Sequence, residues 1–239
     1  MGAPPYHARM ARALTALLTC LLLAACGSPA PSPTAKPTAT PTPRATPTPL
    51  PPDTERIDVV SSGVGAYQLV AVPVAVVHNA ATRTAAVGVV VHLTPTRGGG
   101  PTTPLQTSPL TIYPGETLVV SANYTDTCND ADGATVTVTP GTWSVLVGGP
   151  PTAKAPAYTC RGGCGGHGFG DVTTTITAPD TVKGTRMDLF VACSDASGAL
   201  IGGGQRQVSW PQNGGSLDLD IPVIVSTAVA SCQVGASTA

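Results

Sequence analysis

The chain has 239 residues, of which 10% are charged and 4% aromatic, with 12 basic residues against 13 acidic ones. A near-neutral chain with no basic patch interleaved with aromatics lacks the electrostatic footprint of a nucleic-acid binder. So small a stock of ionisable side chains also disfavours an enzyme.

At the N-terminus His7, Arg9 and Arg12 precede an apolar run over 13–25 that carries no charge. A run of about a dozen residues is too short for a helix spanning a hydrocarbon core, which needs roughly twenty, and a weakly basic start before it is the profile of an export signal. Met10-Ala11-Arg12 offers a second start that leaves the exported chain unchanged. The run ends in Leu23-Ala24-Ala25-Cys26 followed by Gly27-Ser28, which resembles the lipobox of bacterial lipoproteins. The resemblance implies a signal peptide over 1–25, cleavage before Cys26 and a diacylglycerol on its thiol. Without Arg9 and Arg12 the exported chain has ten basic and thirteen acidic residues, a net charge of −3. Each buried acyl methylene contributes about 0.8 kcal/mol, so two or three chains hold a protein stably on a membrane. The expected location is therefore the extracytoplasmic side of the cell membrane, and no other stretch approaches eighteen apolar residues.

Residues 26–52 form the expected spacer, almost entirely Pro, Thr, Ala and Ser, with Pro-Thr-Pro recurring around Lys36 and Arg44. Such a composition cannot build a core; it favours polyproline II at about 3.1 Å per residue, enough to hold a folded unit several nanometres off the membrane.

From Asp53 the texture changes to short Val, Thr and Ile runs punctuated by Gly, Pro, Asn and Asp, without helical periodicity, which predicts an all-β chain. Strands are expected near 57–61, 68–78, 85–93, 118–124 and 135–147, then near 171–177, 185–194, 205–210, 216–225 and 228–234. The two sets look like a duplication. Val72 falls on Val172, Val89 on Leu189, Val91 on Val191 and, at a shorter offset, Tyr113-Pro114 on Trp210-Pro211. The expected architecture is two small sandwiches in tandem, 53–149 and 150–239, meeting at Gly148-Gly149-Pro150-Pro151. The segment Asp188-Leu189-Phe190-Val191-Ala192-Cys193-Ser194-Asp195-Ala196-Ser197-Gly198, with Ile201-Gly202-Gly203-Gly204 and Trp210-Pro211 after it, resembles bacterial FxLYD-type domains. In the first half Tyr113-Pro114-Gly115-Glu116-Thr117 resembles the matching turn, although the strand before it ends Leu93-Thr94-Pro95 where the family has an aromatic-Asp pair. The resemblance implies immunoglobulin-like sandwiches that act as surface modules and share no active site.

Beyond Cys20 and Cys26, five cysteines remain, and an exported setting favours disulfides. Met187, Leu189, Val191 and Cys193 alternate onto one strand face, as do Ala228, Ala230, Cys232 and Val234, so a Cys193–Cys232 bond is expected. The pairing of Cys128, Cys160 and Cys164 stays open. Cys160, Cys164 and His167 could alternatively hold a soft metal such as zinc, although a fourth ligand is not apparent. Asp126, Asn129, Asp130 and Asp132 with Gly133 carry part of a calcium pattern, but Asn, Asp and Gly are also what a solvated turn requires. His78 and His92 have no nucleophilic partner in the sequence, and Trp143 and Trp210 read as packing residues. The glycine runs 98–100, 165–170 and 202–204 lack a following Lys-Ser/Thr and read as loops. No cofactor is implied. The function expected is a non-catalytic surface module that contacts an envelope protein or a surface polymer, with a metal or redox protein or an accessory subunit of an envelope complex as the competing readings.

Overall fold

The computed structural model describes residues 52–122, 130–162 and 168–238, and within them the fold is all-β. The first half runs β1 (Ile57–Tyr67), β2 (Val70–Asn79), β3 (Ala85–Arg97), β4 (Gly100–Pro101), β5 (Leu105–Gln106), β6 (Leu110–Ile112), β7 (Thr117–Ser121), β8 (Gly133–Thr139) and β9 (Thr142–Ser144). The second continues with β10 (Thr152–Ala153), β11 (Ala157–Gly162), β12 (Gly168–Thr177), β13 (Arg186–Ser194), β14 (Leu200–Ser209), β15 (Ser216–Val225) and β16 (Ser231–Thr238). Each expected strand within the described residues has a counterpart, and the expected run 135–147 is broken at Pro140-Gly141 into β8 and β9. Gly141 lies so close to the Val87 carbonyl that no Cβ fits there.

The strands form three antiparallel sheets. β1, β2 and β7 make the first, and β3 is the hub of the second, pairing with β6 and β9 through its early residues and with β8 through Val90–Thr96. The third runs β10-β12-β15-β14-β13-β16, with β11 also on β12. β2 lies against β7 as β12 lies against β15, whereas β3 pairs with five strands and β13 with two.

Residues Leu50–Ala239 form one compact unit, in which the two halves share side chains. The strand between them is β13, whose successive residues enter different cores. Met187, Leu189, Val191 and Cys193 pack with Val172, Ile176, Trp210, Ile221 and Val223 of the second half. Phe190 and Ala192, on the opposite face, pack with Val74–Val77, Val89 and Leu118–Val120 of the first. β2 is likewise buried on both faces, which is why it reads as the near-continuous apolar run Val-Ala-Val-Pro-Val-Ala-Val-Val. Burying Phe190 alone contributes roughly 2–3 kcal/mol.

Close backbone approach completes the junction. A Cβ on Gly65 of β1 would lie 2.8 Å from Gly202 Cα and 2.0 Å from the Ile224 carbonyl oxygen. Three serines tie the backbones across the halves. Ser121 Oγ donates to the Gly204 carbonyl at 2.7 Å, Ser226 Oγ donates to Val64 O at 2.9 Å and accepts from Ala66 N, and Ser237 Oγ accepts from Thr111 N at 2.9 Å.

In the first half the link between β2 and β3 is organised by two side chains. Asp53, at the end of the spacer, accepts hydrogen bonds from the backbone N–H groups of Thr82, Arg83 and Thr84 and from the hydroxyls of Thr82 and Thr84. Those donors, led by Thr82 N–H, hold its carboxyl well below the usual range. Asn79 is fully buried; its Nδ2 donates to the carbonyls of Thr84, Ile112 and Tyr113, each at 3.0 Å, and its Oδ1 accepts from Ala81 N at 2.9 Å. Asn79→Ala orphans those buried backbone groups and is expected to cost about 2–4 kcal/mol in urea unfolding; a loss below about 1 kcal/mol would show that the turn relaxes without its side chain.

The Tyr113-Pro114-Gly115-Glu116 turn between β6 and β7 has Pro second and Gly115 third at φ 67°, as a type II turn requires, and closes with Glu116 N donating to Tyr113 O at 3.1 Å. Glu116 Oε2 folds back to accept from Tyr113 N at 2.7 Å. Burial pushes the Glu116 carboxyl up to about 7, with the Tyr113 hydrogen bond pulling weakly the other way. The folded chain therefore holds this proton more tightly than the unfolded chain. The stability it confers is complete below the unfolded value near 4.5 and is lost as pH rises through 7. Glu116→Gln is expected to match the wild type at pH 4 and to be more stable by roughly 1–2 kcal/mol at pH 8, allowing for solvent screening. Parallel melting curves at both ends of the range, without a gap at pH 8, would contradict the shift.

Candidate functional site: an apolar cleft between the halves

β12 and β15 pair along their whole length, Gly168–Thr177 against Ser216–Val225, whereas β14 meets β15 only at Gly202–Val225 and Gly203–Ile224. Past those two pairs β14 and β15 share no further ladder, although Gly204 still lies against Pro222, and the β1–β2 hairpin packs beside both strands. The result is a cleft of about 400 Å³. Tyr67, Gln68, Val70 and Val72 form one wall, Phe169–Asp171 the other, and Gly203–Gln205 with Pro222–Ile224 the remaining surface.

The lining is mainly apolar. Tyr67 and Phe169 meet with ring centroids 5.8 Å apart, tilted by 45°, and Phe169 keeps 41% of its surface exposed. Leu69, at the tip of the same hairpin, is 65% exposed. Charge enters at one place, an ion pair between Arg161 Nε and Asp171 Oδ2. The aspartate side chain is 12% exposed and the arginine 61%, so the solvent side of the pair is its cation. Gln68 has φ 54° and is the first central residue of the two-residue hairpin turn, the position a type II′ turn reserves for glycine. A left-handed non-glycine residue costs about 1 kcal/mol, and strain of this kind gathers at binding sites.

A second, shallower depression of about 380 Å³ lies over Lys154, Thr173–Thr175 and Asp218–Asp220. Its polar groups already bond one another, Thr174 Oγ1 to Lys154 O at 2.9 Å and Thr175 Oγ1 to Asp218 Oδ1 at 2.7 Å, and no aromatic ring lines it.

The residues singled out in the sequence fall as follows. Cys193 and Cys232 face each other across β13 and β16 and are disulfide-bonded, their Cα atoms 4.0 Å apart. Cys160 is also disulfide-bonded. Cys26, Cys128, Cys164, His167, Asp126 and Asn129 lie outside the described residues. Asp130 pairs with Arg97, and Asp132 accepts from Thr96 Oγ1 at 3.1 Å and Gly98 N at 2.8 Å, so both carboxylates are engaged in shaping a turn. Among the described residues no group of three or more metal-binding side chains comes together. His78 contacts Thr117 Oγ1 at 3.1 Å and His92 contacts Thr139 Oγ1 at 3.0 Å; neither lines the cleft. Trp210 is buried in the second core and Trp143 packs against the first.

Two of the glycine runs correct the sequence reading. Gly202–Gly204 lie inside β14 and Gly168–Gly170 inside β12, and neither set forms a loop. Glycine stands in β14 because the backbones of β13 and β15 crowd it: Cβ atoms on Gly202, Gly203 and Gly204 would sit about 2 Å from the carbonyl oxygens of Ile224, Val191 and Pro222.

No protein-family model matches the chain, and no curated protein matches it. The site therefore rests on its geometry alone. That geometry was missed in the sequence, where Tyr67, Arg161, Phe169 and Asp171 carried no motif. The available signal was the isolated Gly168-Phe169-Gly170, a large aromatic on a strand where a core would not place it.

Proposed function

We propose that the chain is a lipid-anchored surface protein whose compact unit is a non-catalytic binding module. Cys26 holds it to the extracytoplasmic face of the membrane, residues 26–52 space it outward, and the cleft between the halves receives the ligand. The cleft carries this reading: it is mainly apolar, lies where the two halves meet, and its walls are held by glycine contacts and serine ties at the junction. The Asp195 turn supports immunoglobulin-like FxLYD-type modules. Asp195 Oδ1 accepts from Ser197 N at 2.8 Å, Ser197 Oγ at 2.6 Å and Ala199 N at 3.1 Å, and Gly198 follows at φ 85°. Among the described residues no helix is long and apolar enough to cross a membrane.

The anchor is tested by fractionating cells that express wild type or Cys26→Ala and by feeding labelled fatty acid. Wild type is expected in the membrane fraction with label, and Cys26→Ala in the soluble fraction without it. Membrane-bound Cys26→Ala together with unlabelled wild type would overturn the anchor.

A further inference from the structure

We propose that the cleft binds a small amphiphile, an aryl or short acyl body carrying one anionic head. The inference rests on the binding-module reading and supplies its ligand class. The body is assigned by the lining: Tyr67, Val70, Phe169 and Val223 border a space of about 400 Å³, on the scale of a small molecule. The head is assigned by the asymmetry of the single ion pair. Asp171 is buried and takes Arg161 Nε, so an entering group meets the guanidinium and not the carboxylate. The two Nη groups of Arg161 carry further N–H donors without a hydrogen-bond partner among the described residues. A cationic head would be repelled there, and a wholly apolar ligand would strip water from the guanidinium and return nothing. An anionic head supplies charge-assisted hydrogen bonds at the edge of an apolar site, where they are strongest.

Two fluorescent probes with the same body separate the terms: 1-anilinonaphthalene-8-sulfonate, and N-phenyl-1-naphthylamine, which lacks the sulfonate. The protein is residues 26–239 with Cys26→Ser, free of lipid and detergent and retaining the whole compact unit. Both probes are expected to bind, the sulfonate about tenfold more tightly. Arg161→Met should abolish that preference, Arg161→Lys should keep part of it, and Phe169→Ala should weaken both probes. Circular dichroism melting establishes that each variant is folded. Equal affinity for the two probes, or a preference that survives Arg161→Met, overturns the anionic head and leaves the binding module standing. Failure of folded wild type to bind either probe, or binding indifferent to Phe169→Ala, overturns the cleft as the binding site along with it. The lipid anchor is decided separately by fatty-acid labelling.

Discussion

Gly202→Ala is expected to destabilise the protein by about 3–5 kcal/mol, although it adds a single methyl group. Gly202 has φ 133°, a conformation L residues rarely adopt, and its Cβ would lie 2.1 Å from the Ile224 carbonyl oxygen and 2.5 Å from Gly65 Cα. Both obstacles are backbone atoms of other strands, so no side-chain rotation relieves them. Relief requires moving β1 and β15 away from β14, which loosens the junction and the cleft beside it. Gly198→Ala is the control: its φ is 85°, but nothing lies within 4 Å of the added carbon, so only the backbone strain of about 1 kcal/mol should appear. Urea unfolding of the two variants separates backbone strain from collision. Equal losses would mean that the close approach of Gly202 and Gly65 does not exist in solution.

Removing the disulfide with Cys193→Ala and Cys232→Ala is expected to cost about 4 kcal/mol, the chain-entropy value for a closed loop of this size. The two cysteines are 39 positions apart in sequence, and the loop between them contains β14 and β15. The bond therefore restrains the strands that border the cleft. Cys193 is fully buried but Cys232 is half-buried, so the packing around the bond shields one of its sulfurs more than the other. A loss below about 1 kcal/mol in the double variant would show that the bond lies outside the cooperative core.

The strands were legible because alternation and turn residues report local structure. The row Met187, Leu189, Val191 and Cys193 showed its core-facing side in the sequence, and Cys232 followed from the same period. The other row was not legible. Phe190 and Ala192 look like any outward pair until β2 and β7 are known to lie over them. The two-residue strands β4, β5 and β10 are too short to carry a period, and Pro and Gly in their surroundings read as loop. Gly202–Gly204 read as loop for a related reason: a glycine run signals chain freedom, and only the neighbouring carbonyls reveal that here it signals crowding. The cleft could not be read at all. Tyr67 and Phe169 are about a hundred positions apart, on β1 and β12, and their rings meet only in the folded chain.

That β13 supplies side chains to two cores has a consequence for how the molecule comes apart. A strand shared in this way cannot leave one half without withdrawing Phe190 and Ala192, or Met187 and Leu189, from the other. Unfolding should then be one event with one transition, despite a chain that looks like two copies of a single plan. The two halves are then mutually obligate, and cutting at Gly149 would yield two sticky fragments where a string of independent modules would yield two soluble proteins.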